Sequence, residues 1–565
     1  MSPSGSKEGG QIPAVAWPAV AVLAAFVAFV AFRPAVAEAA FEWVREGIET
    51  GFGWVYVLLT TGILLYLIRL GAGKYRHVRL GADHSRPEFN TVSWFAMLFS
   101  AGMGIGLVFW SIAEPIEHFA SNPFAGEDEP GSRRAHAALR LTFFHWGFHA
   151  WGVFALMGLA LGYFSFRHGL PMTLRSTLFP VLRDRIYGPL GHAVDVFAVF
   201  GTVAGVATSL GIGARQIVVG LNELMGVEVG LASELTVVAV ITVLGTATLM
   251  AGLRRGIENL SNVNLGLTVL LAGTLLVAGP TLFLINLGVH GFGEYLQNLP
   301  MQSLWVSPIE EGGWHRTWTL FYWGWWISWA PFVGIFIARI SYGRTIGEFV
   351  LGVLVVPTLL TLAWLTIFGA TALDLELAEP GVLVDAVAEH EAVALFRTLQ
   401  LLALPGWLTP VALGLVVVLI GTYFLTSMAS ATYVVNQLLA GGDTHPLRRH
   451  RLLWGLGIGV IGAALLAAGG LSALQAVTIA AALPLTLIFL VLIHGFEGGL
   501  AADSPTPPRR RARLFSRPHP ADPEDPPLVH ETPGDDEETR RLVEGGERPS
   551  FEPERRERPS PASRS

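Results

Sequence analysis

Long apolar runs alternate along this chain with short polar connections rich in arginine. A helix needs about 20 apolar residues to cross a bilayer core. Runs of that length lie at 12–32, 52–70, 91–113, 141–164, 190–222 and 231–252. They recur at 260–289, 316–340, 347–373, 407–440, 450–470 and 472–496. The pattern predicts an all-α polytopic membrane protein with twelve transmembrane helices. The division between the last two runs is the least marked.

The charges on the connections test that count. With the N-terminus inside, the interior loops hold sixteen basic residues: Arg69, Lys74, Arg76, Arg79 and Arg86, then Arg167, Arg175, Arg183 and Arg185, Arg254 and Arg255, Arg339 and Arg344, and Arg448, Arg449 and Arg451. The exterior loops hold seven: Arg33, Arg45, Arg133, Arg134, Arg140, Arg316 and Arg397. Basic residues are retained on the cytoplasmic side. Both termini are therefore expected there. The acidic loop 374–406, with Asp374, Glu376, Glu379, Asp385, Glu389 and Glu391, agrees with an outside location. Ala35-Val36-Ala37 resembles a signal cleavage site, but the run before it is too long for a signal core and carries one preceding basic residue, Lys7.

Composition narrows the picture. The chain has 565 residues, 52% hydrophobic and 14% charged, as a multi-pass membrane protein requires. A net charge of −7 argues against a nucleic-acid partner. With no cysteine, disulfides, thiol catalysis and cysteine metal sites are excluded. The tail, 497–565, differs in kind. From Gly498 onward it holds thirteen of the 34 prolines, the cluster Arg509, Arg510, Arg511 and Arg513, and an acidic run from Asp535 to Glu538. Such a segment buries no core and is expected to be disordered. Its arginines either touch anionic lipid or are simply solvated.

Between Phe321 and Trp329 the chain reads Phe-Tyr-Trp-Gly-Trp-Trp-Ile-Ser-Trp, four tryptophans in nine residues, in the middle of a span. An indole N–H needs a partner that lipid cannot offer. Its ring face, in contrast, is the best side-chain partner for a cation without hydrogens to donate. An aromatic belt scatters single rings at helix ends. Crowding in mid-span points instead to a box for a quaternary ammonium group.

Two further segments carry chemistry. Gly102, Gly104 and Gly106 alternate in the third run, each weakening a helix by roughly 1 kcal/mol relative to alanine. They mark either an unwound stretch able to hold an anionic group or close helix packing. In the fourth run Trp146, Trp151 and Phe154 fall within one broad helical face and supply further walls. His145 and His149 have chelating spacing, but without a third ligand metal binding is not expected.

The stretch Gly102-Met103-Gly104-Ile105-Gly106-Leu107-Val108-Phe109-Trp110 through Ala113-Glu114-Pro115 resembles the signature of the betaine/choline/carnitine transporter family. So do Phe321 through Arg344, Ser209-Leu210-Gly211-Ile212-Gly213 and Thr426-Ser427. The resemblance covers about residues 50–495. It implies a leucine-transporter-like fold of two inverted five-helix repeats, 91–289 and 316–496. Two extra helices (12–90) precede them, behind a cytoplasmic N-terminus, 1–11. An outer amphipathic helix from Val289 to Ser303, within 290–315, would join the repeats, and trimers are expected.

By the same resemblance the substrate box comprises Trp146, Trp151, Phe154, Phe321, Trp325, Trp326 and Trp329, facing Gly102, Gly104 and Gly106. Phe154 stands where some members have tyrosine. Sodium would be held by the backbone carbonyls of Ser100 and Met103 with Tyr423, Thr426 and Ser427. Neutral oxygens suit a hard cation. Thr202 matches one hydroxyl of a second ion site, but Val206 occupies the other. Members usually continue Thr-Ser with Ala-Asp-Ser, whereas this chain has Met428-Ala429-Ser430. Arg215, in the fifth run, is costly in a membrane and so by default functional, or else snorkels or pairs structurally.

The implied function is sodium-coupled symport of a trimethylammonium solute, most simply glycine betaine, by alternating access. No cofactor beyond Na+ is expected, and the partners are the small-molecule substrate and membrane lipid. A proton-coupled carrier or sodium-independent exchanger is the alternative in the same class. A membrane sensor is the alternative from another class, and no appended signalling domain supports it. No nucleophile–base pair suggests an enzyme.

Overall fold

The computed structural model describes residues 16–102, 104–126, 128–251, 259–307, 313–442 and 448–503. Met103, Arg254, Arg255, the segment 1–11 and the tail beyond Asp503 lie outside the described residues. Among the described residues the regular structure is helical, apart from two isolated β-bridges.

Ala16–Phe32 (α1) is apolar but only 17 residues long. Pro34 opens α2 (Pro34–Ala72) at a position where its missing N–H costs nothing. Helix α2 takes in 34–51, where low hydropathy predicts a connection. Arg45 pairs there with Glu42 and Glu49, three and four residues away along the helix.

The third run is two helices, α3 (Thr91–Gly102) and α4 (Ile105–Ala120). The fourth is also two, α5 (Gly131–Trp146) and α6 (Phe148–Gly162), the second continuing as a π-turn through Arg167. After the short α7 (Phe179–Leu182), α8 (Pro189–Met225) and α9 (Leu231–Ala251) follow the predicted runs.

The seventh run, 260–289, is not one span. Helix α10 (Asn259–Ala278) stops before Gly279 and Pro280, whose ring cannot supply the next N–H. The next helix, α11 (Thr281–Ser303), thus begins eight residues before Val289.

The second half contains α12 (Phe321–Ile340) and α13 (Ile346–Ala378). A reciprocal cap between Thr345 and Glu348 starts α13. The acidic loop is itself folded, into α14 (Val384–Glu389) and α15 (Ala394–Leu401). The Glu376 carboxylate accepts the N–H groups of Gly381, Leu383 and Val384 at 2.6, 2.8 and 3.1 Å and pins the turn between α13 and α14. Then come α16 (Leu408–Leu439) and α17 (Arg448–Ala502). Helix α17 breaks at Gly469 and Gly470, where Gly470 has φ +61°, so the least marked division is a real one.

Ten helical segments among the described residues are long and apolar enough to span a membrane. The broken third run and the short α1 fall outside that criterion. Helix α12 lies at the centre, against α6, α8 and α17, and every residue from Phe321 to Ile335 is buried. Helices α9 and α10 are peripheral and expose Val243, Val269 and Val277.

Candidate functional site

The interruption in the third run sets the geometry. Between α3 and α4, Gly104 is extended at φ −124°, ψ −171°, and α4 begins at the next residue. The Leu107 N–H donates to the Gly104 carbonyl at 3.1 Å, and a helix start of this kind is a natural docking point for an anion. Gly106, the second residue of α4, sits directly against the central helix. A Cβ there would lie 2.4 Å from Trp325 Cη2, so glycine is required by close approach.

On α12, Phe321, Trp325 and Trp326 form a stack. Phe321 and Trp325 have centroids 5.5 Å apart at 26°, and Trp325 and Trp326 lie 5.0 Å apart at 11°. Trp329 continues the row at 5.9 Å from Trp325. Two glycines frame Trp329. A Cβ on Gly104 would meet its Cη2 at 3.4 Å, and one on Gly205 of α8 would meet its Cδ1 at 2.5 Å.

The walls come from the second broken span. Trp146 presents its edge to Trp326 at 5.0 Å and to Trp325 at 6.2 Å. Phe154 meets Trp326 edge-on at 5.9 Å, and Trp151 meets Phe154 at 6.0 Å. None of the seven aromatic residues is more than 5% exposed. The fourth tryptophan of the cluster, Trp323, turns away and stacks on His149 at 5.2 Å.

The break at Gly147 has its own support. The Phe148 N–H, freed from the helix ladder, donates to the Tyr295 hydroxyl of α11 at 2.9 Å. A Cβ on Gly147 would lie 2.5 Å from that oxygen.

Sequence reasoning missed the charged group behind the box. Glu114 of α4 is fully buried and accepts from four side chains. Its Oε1 meets His145 Nδ1 at 2.7 Å and His118 Nε2 at 3.2 Å. Its Oε2 accepts from Trp146 Nε1 at 2.7 Å and from the Tyr322 hydroxyl at 2.5 Å. His145 Nε2 pairs with the Thr319 hydroxyl at 3.1 Å. Thus His145 joins Glu114 and His118 rather than His149. An acid immediately after the third apolar run, within the matching signature, was the available signal. Four donors around one carboxyl group fix the plane of Trp146.

The candidate sodium ligands are divided. The Tyr423 hydroxyl pairs with Thr268 of α10 at 2.8 Å. Thr426 donates to the Thr422 carbonyl at 2.9 Å and accepts from Asn264 of α10 at 2.9 Å. Ser427, in contrast, faces the break: its Oγ lies 3.9 Å from the Cβ position of Gly104. Ser100 and Gly102 belong to the last turn of α3. Thr202 is buried on α8 with its hydroxyl unpartnered.

Arg215 pairs with the folded acidic loop. It donates to His390 Nδ1 at 3.2 Å and lines a cavity of about 250 Å³ with Glu117, Trp318 and Glu391. Burial raises the Glu391 carboxyl above its ordinary range, against the pull of Arg215. Phe321 belongs both to this cavity and to the aromatic stack, so the cavity ends at the box.

The family model for betaine/carnitine/choline family transporters matches residues 14–504. The glycine betaine transporter OpuD of Bacillus subtilis is 44% identical over 497 residues, covering 87% of this chain and 95% of that protein. A glycine betaine transporter of Acinetobacter baylyi is 40% identical over 486 residues, 86% and 73% of the two chains. The osmo-independent choline transporter BetT1 of the same organism is 36% identical over 503 residues, 88% and 94%.

Proposed function

The chain belongs to the betaine/carnitine/choline transporter family, and from that premise we propose that it takes up glycine betaine, a trimethylammonium compatible solute, by sodium-coupled symport with alternating access. The observation that carries the reading is the buried stack of Phe321, Trp325, Trp326 and Trp329, walled by Trp146 and pressed against Gly106. The ring faces take the trimethylammonium group. The carboxylate goes to the N–H groups at the start of α4. No acidic residue lies between Gly102 and Gly106 to neutralise a lone cation, so betaine is preferred over choline.

Sodium enters this reading through the Ser100 and Met103 carbonyls with Ser427, joined by Tyr423 and Thr426 once they release α10, and by Thr202 at a second position. The two broken spans are the joints of the transport cycle. The arrangement proposed around them is twelve helices in two inverted repeats with both termini cytoplasmic, assembled as a trimer.

The test is uptake of labelled betaine into proteoliposomes, with sodium or potassium outside and choline as competitor. Sodium should accelerate uptake, and Thr426→Ala with Ser427→Ala should lower apparent sodium affinity by roughly an order of magnitude, since two neutral oxygen ligands are lost. Equal uptake in potassium would sink sodium coupling. A second reading, proton coupling, draws on the buried Glu114, His118 and His145 beside Trp146. A proton gradient that drives sodium-free uptake would select it.

A further inference from the structure

Two groups of histidine and carboxylate side chains gather within ligand distance among the described residues, and they differ in kind. In the group Glu114, His118 and His145 the carboxylate is already occupied, because four donors meet its roughly four lone-pair sites. His136, His290 and Glu294 are not complete. They sit where α5 packs against α11. His290 and Glu294 are four residues apart, on one face of α11, and His136 reaches them from α5.

The two imidazole rings have centroids 4.3 Å apart at 43°. His290 Nε2 lies 3.4 Å from Glu294 Oε1, and ligand atoms of all three residues fall within 4.8 Å of one another. Arg140 Nη1 stands 3.9 Å from the other oxygen, Oε2, and leaves Oε1 to the histidines. Bonds of about 2.0–2.1 Å in a tetrahedral site place ligand atoms roughly 3.3 Å apart. His290 and Glu294 already have that spacing. His136 must close by about 1.5 Å at most to join a site of those dimensions. His290 is exposed, and the other two are partly so. Rotamer changes therefore suffice.

We propose that His136, His290 and Glu294 form a binding site for a first-row divalent cation, zinc above all, with water as the fourth ligand. Two imidazoles and one carboxylate suit zinc, cobalt or nickel, whereas calcium and magnesium take oxygen ligands. The site has a mechanical consequence. Glu294 precedes Tyr295, whose hydroxyl holds the Phe148 N–H at the break between α5 and α6. Leu139 and Phe143 of α5 pack around Gly291 between the two levels. A cation bridging α5 to α11 fixes the register of these helices and slows movement at the Gly147 joint. The binding stands independently of the transport reading; only the effect on uptake rests on it.

The experiment uses the full-length protein, purified in detergent with a tag free of histidine, and titrated with ZnCl2 by calorimetry. One zinc should bind per chain, and the double variant His136→Ala/His290→Ala should weaken binding by roughly tenfold or more, as loss of metal ligands does. In proteoliposomes zinc should lower the maximal rate of betaine uptake at unchanged KM. The double variant should transport like the wild type and ignore zinc. No binding by the wild type, or wild-type affinity in the double variant, overturns the site. Zinc that binds at these residues without slowing uptake overturns the clamp. Metal-free wild type that takes up no betaine counts against the transport reading, while calorimetry still decides the site.

Discussion

An alanine at Gly106 would place its methyl group 2.4 Å from Trp325 Cη2, with two further ring atoms at 3.1 and 3.3 Å. Carbon atoms settle about 3.5–4.0 Å apart, so the indole must retreat by about 1 Å. Its surroundings resist: Trp326 lies nearly parallel at 5.0 Å, Phe321 stacks at 5.5 Å, and Trp325 is fully buried. Overpacking of this kind costs about 1–3 kcal/mol. If the strain falls on the box, Gly106→Ala weakens substrate binding roughly 5- to 150-fold at 1.4 kcal/mol per decade. Gly104→Ala is the control. Its methyl meets Trp329 at 3.4 Å and Ser427 at 3.9 Å, ordinary contacts. The assay is betaine KM in proteoliposomes, beside tryptophan-fluorescence titration and size-exclusion chromatography in detergent. Gly106→Ala should raise KM while eluting as the wild type does. A wild-type KM for Gly106→Ala, or equal damage from Gly104→Ala, would refute the contact argument.

Three further outcomes are expected. Trp329→Ala should lose uptake while remaining folded, because one desolvated cation–π contact is worth about 2 kcal/mol, roughly 30-fold in affinity. Trp329→Phe should keep part of it, and unchanged affinity in Trp329→Ala would move the box elsewhere. Glu114→Gln sets an amide NH2 against donors that now meet a carboxylate oxygen. Each stranded donor costs about 1–3 kcal/mol, so the melting temperature in detergent should fall by several degrees, and an unaltered one would contradict the four-donor network. Burial alone would raise the Asp503 carboxyl, but His168, Arg167 and Tyr163 together hold it at about 2. That lies below its unfolded value of about 3.9, so the stabilisation is full above that value and is lost as pH falls toward 2. Asp503→Asn should flatten the acid limb of a melting-temperature profile over that window; an identical limb would show that the anchor contributes nothing.

Hydropathy located the apolar runs, but helix ends answer to other forces. Residues 34–51 are helical because Pro34 starts them and Arg45 pairs along the turn. The overlong seventh run concealed Gly279 and Pro280, a break made by two residues that a hydropathy average barely registers. The tryptophan cluster was legible as a group, yet Trp323 and Trp325, two residues apart, face opposite partners. The glycine spacing pointed to the interruption at Gly104, whereas the joint at Gly147 depends on a hydroxyl 148 residues further along, on Tyr295. Glu114 was visible as an acid at the end of an apolar run. Its partners lie on α4, α5 and α12, and only the packed helices bring them to one point.

The slot holding Trp329 also bears on how such a protein can diverge. Its indole lies between Gly104 on one side and Gly205 on the other, and at Gly205 even a methyl group would overlap Cδ1 at 2.5 Å. A non-aromatic residue at 329 abandons the ring; a larger one at 205 expels it. Neither step alone leads to a working intermediate, so the slot is inherited as a block. Single-step routes to a different solute therefore run through its periphery. Phe154 touches the row only at its edge, and a tyrosine there adds one hydroxyl without displacing a ring. Descendants of this chain should change their solute at 154 before they change it at 205 or 329.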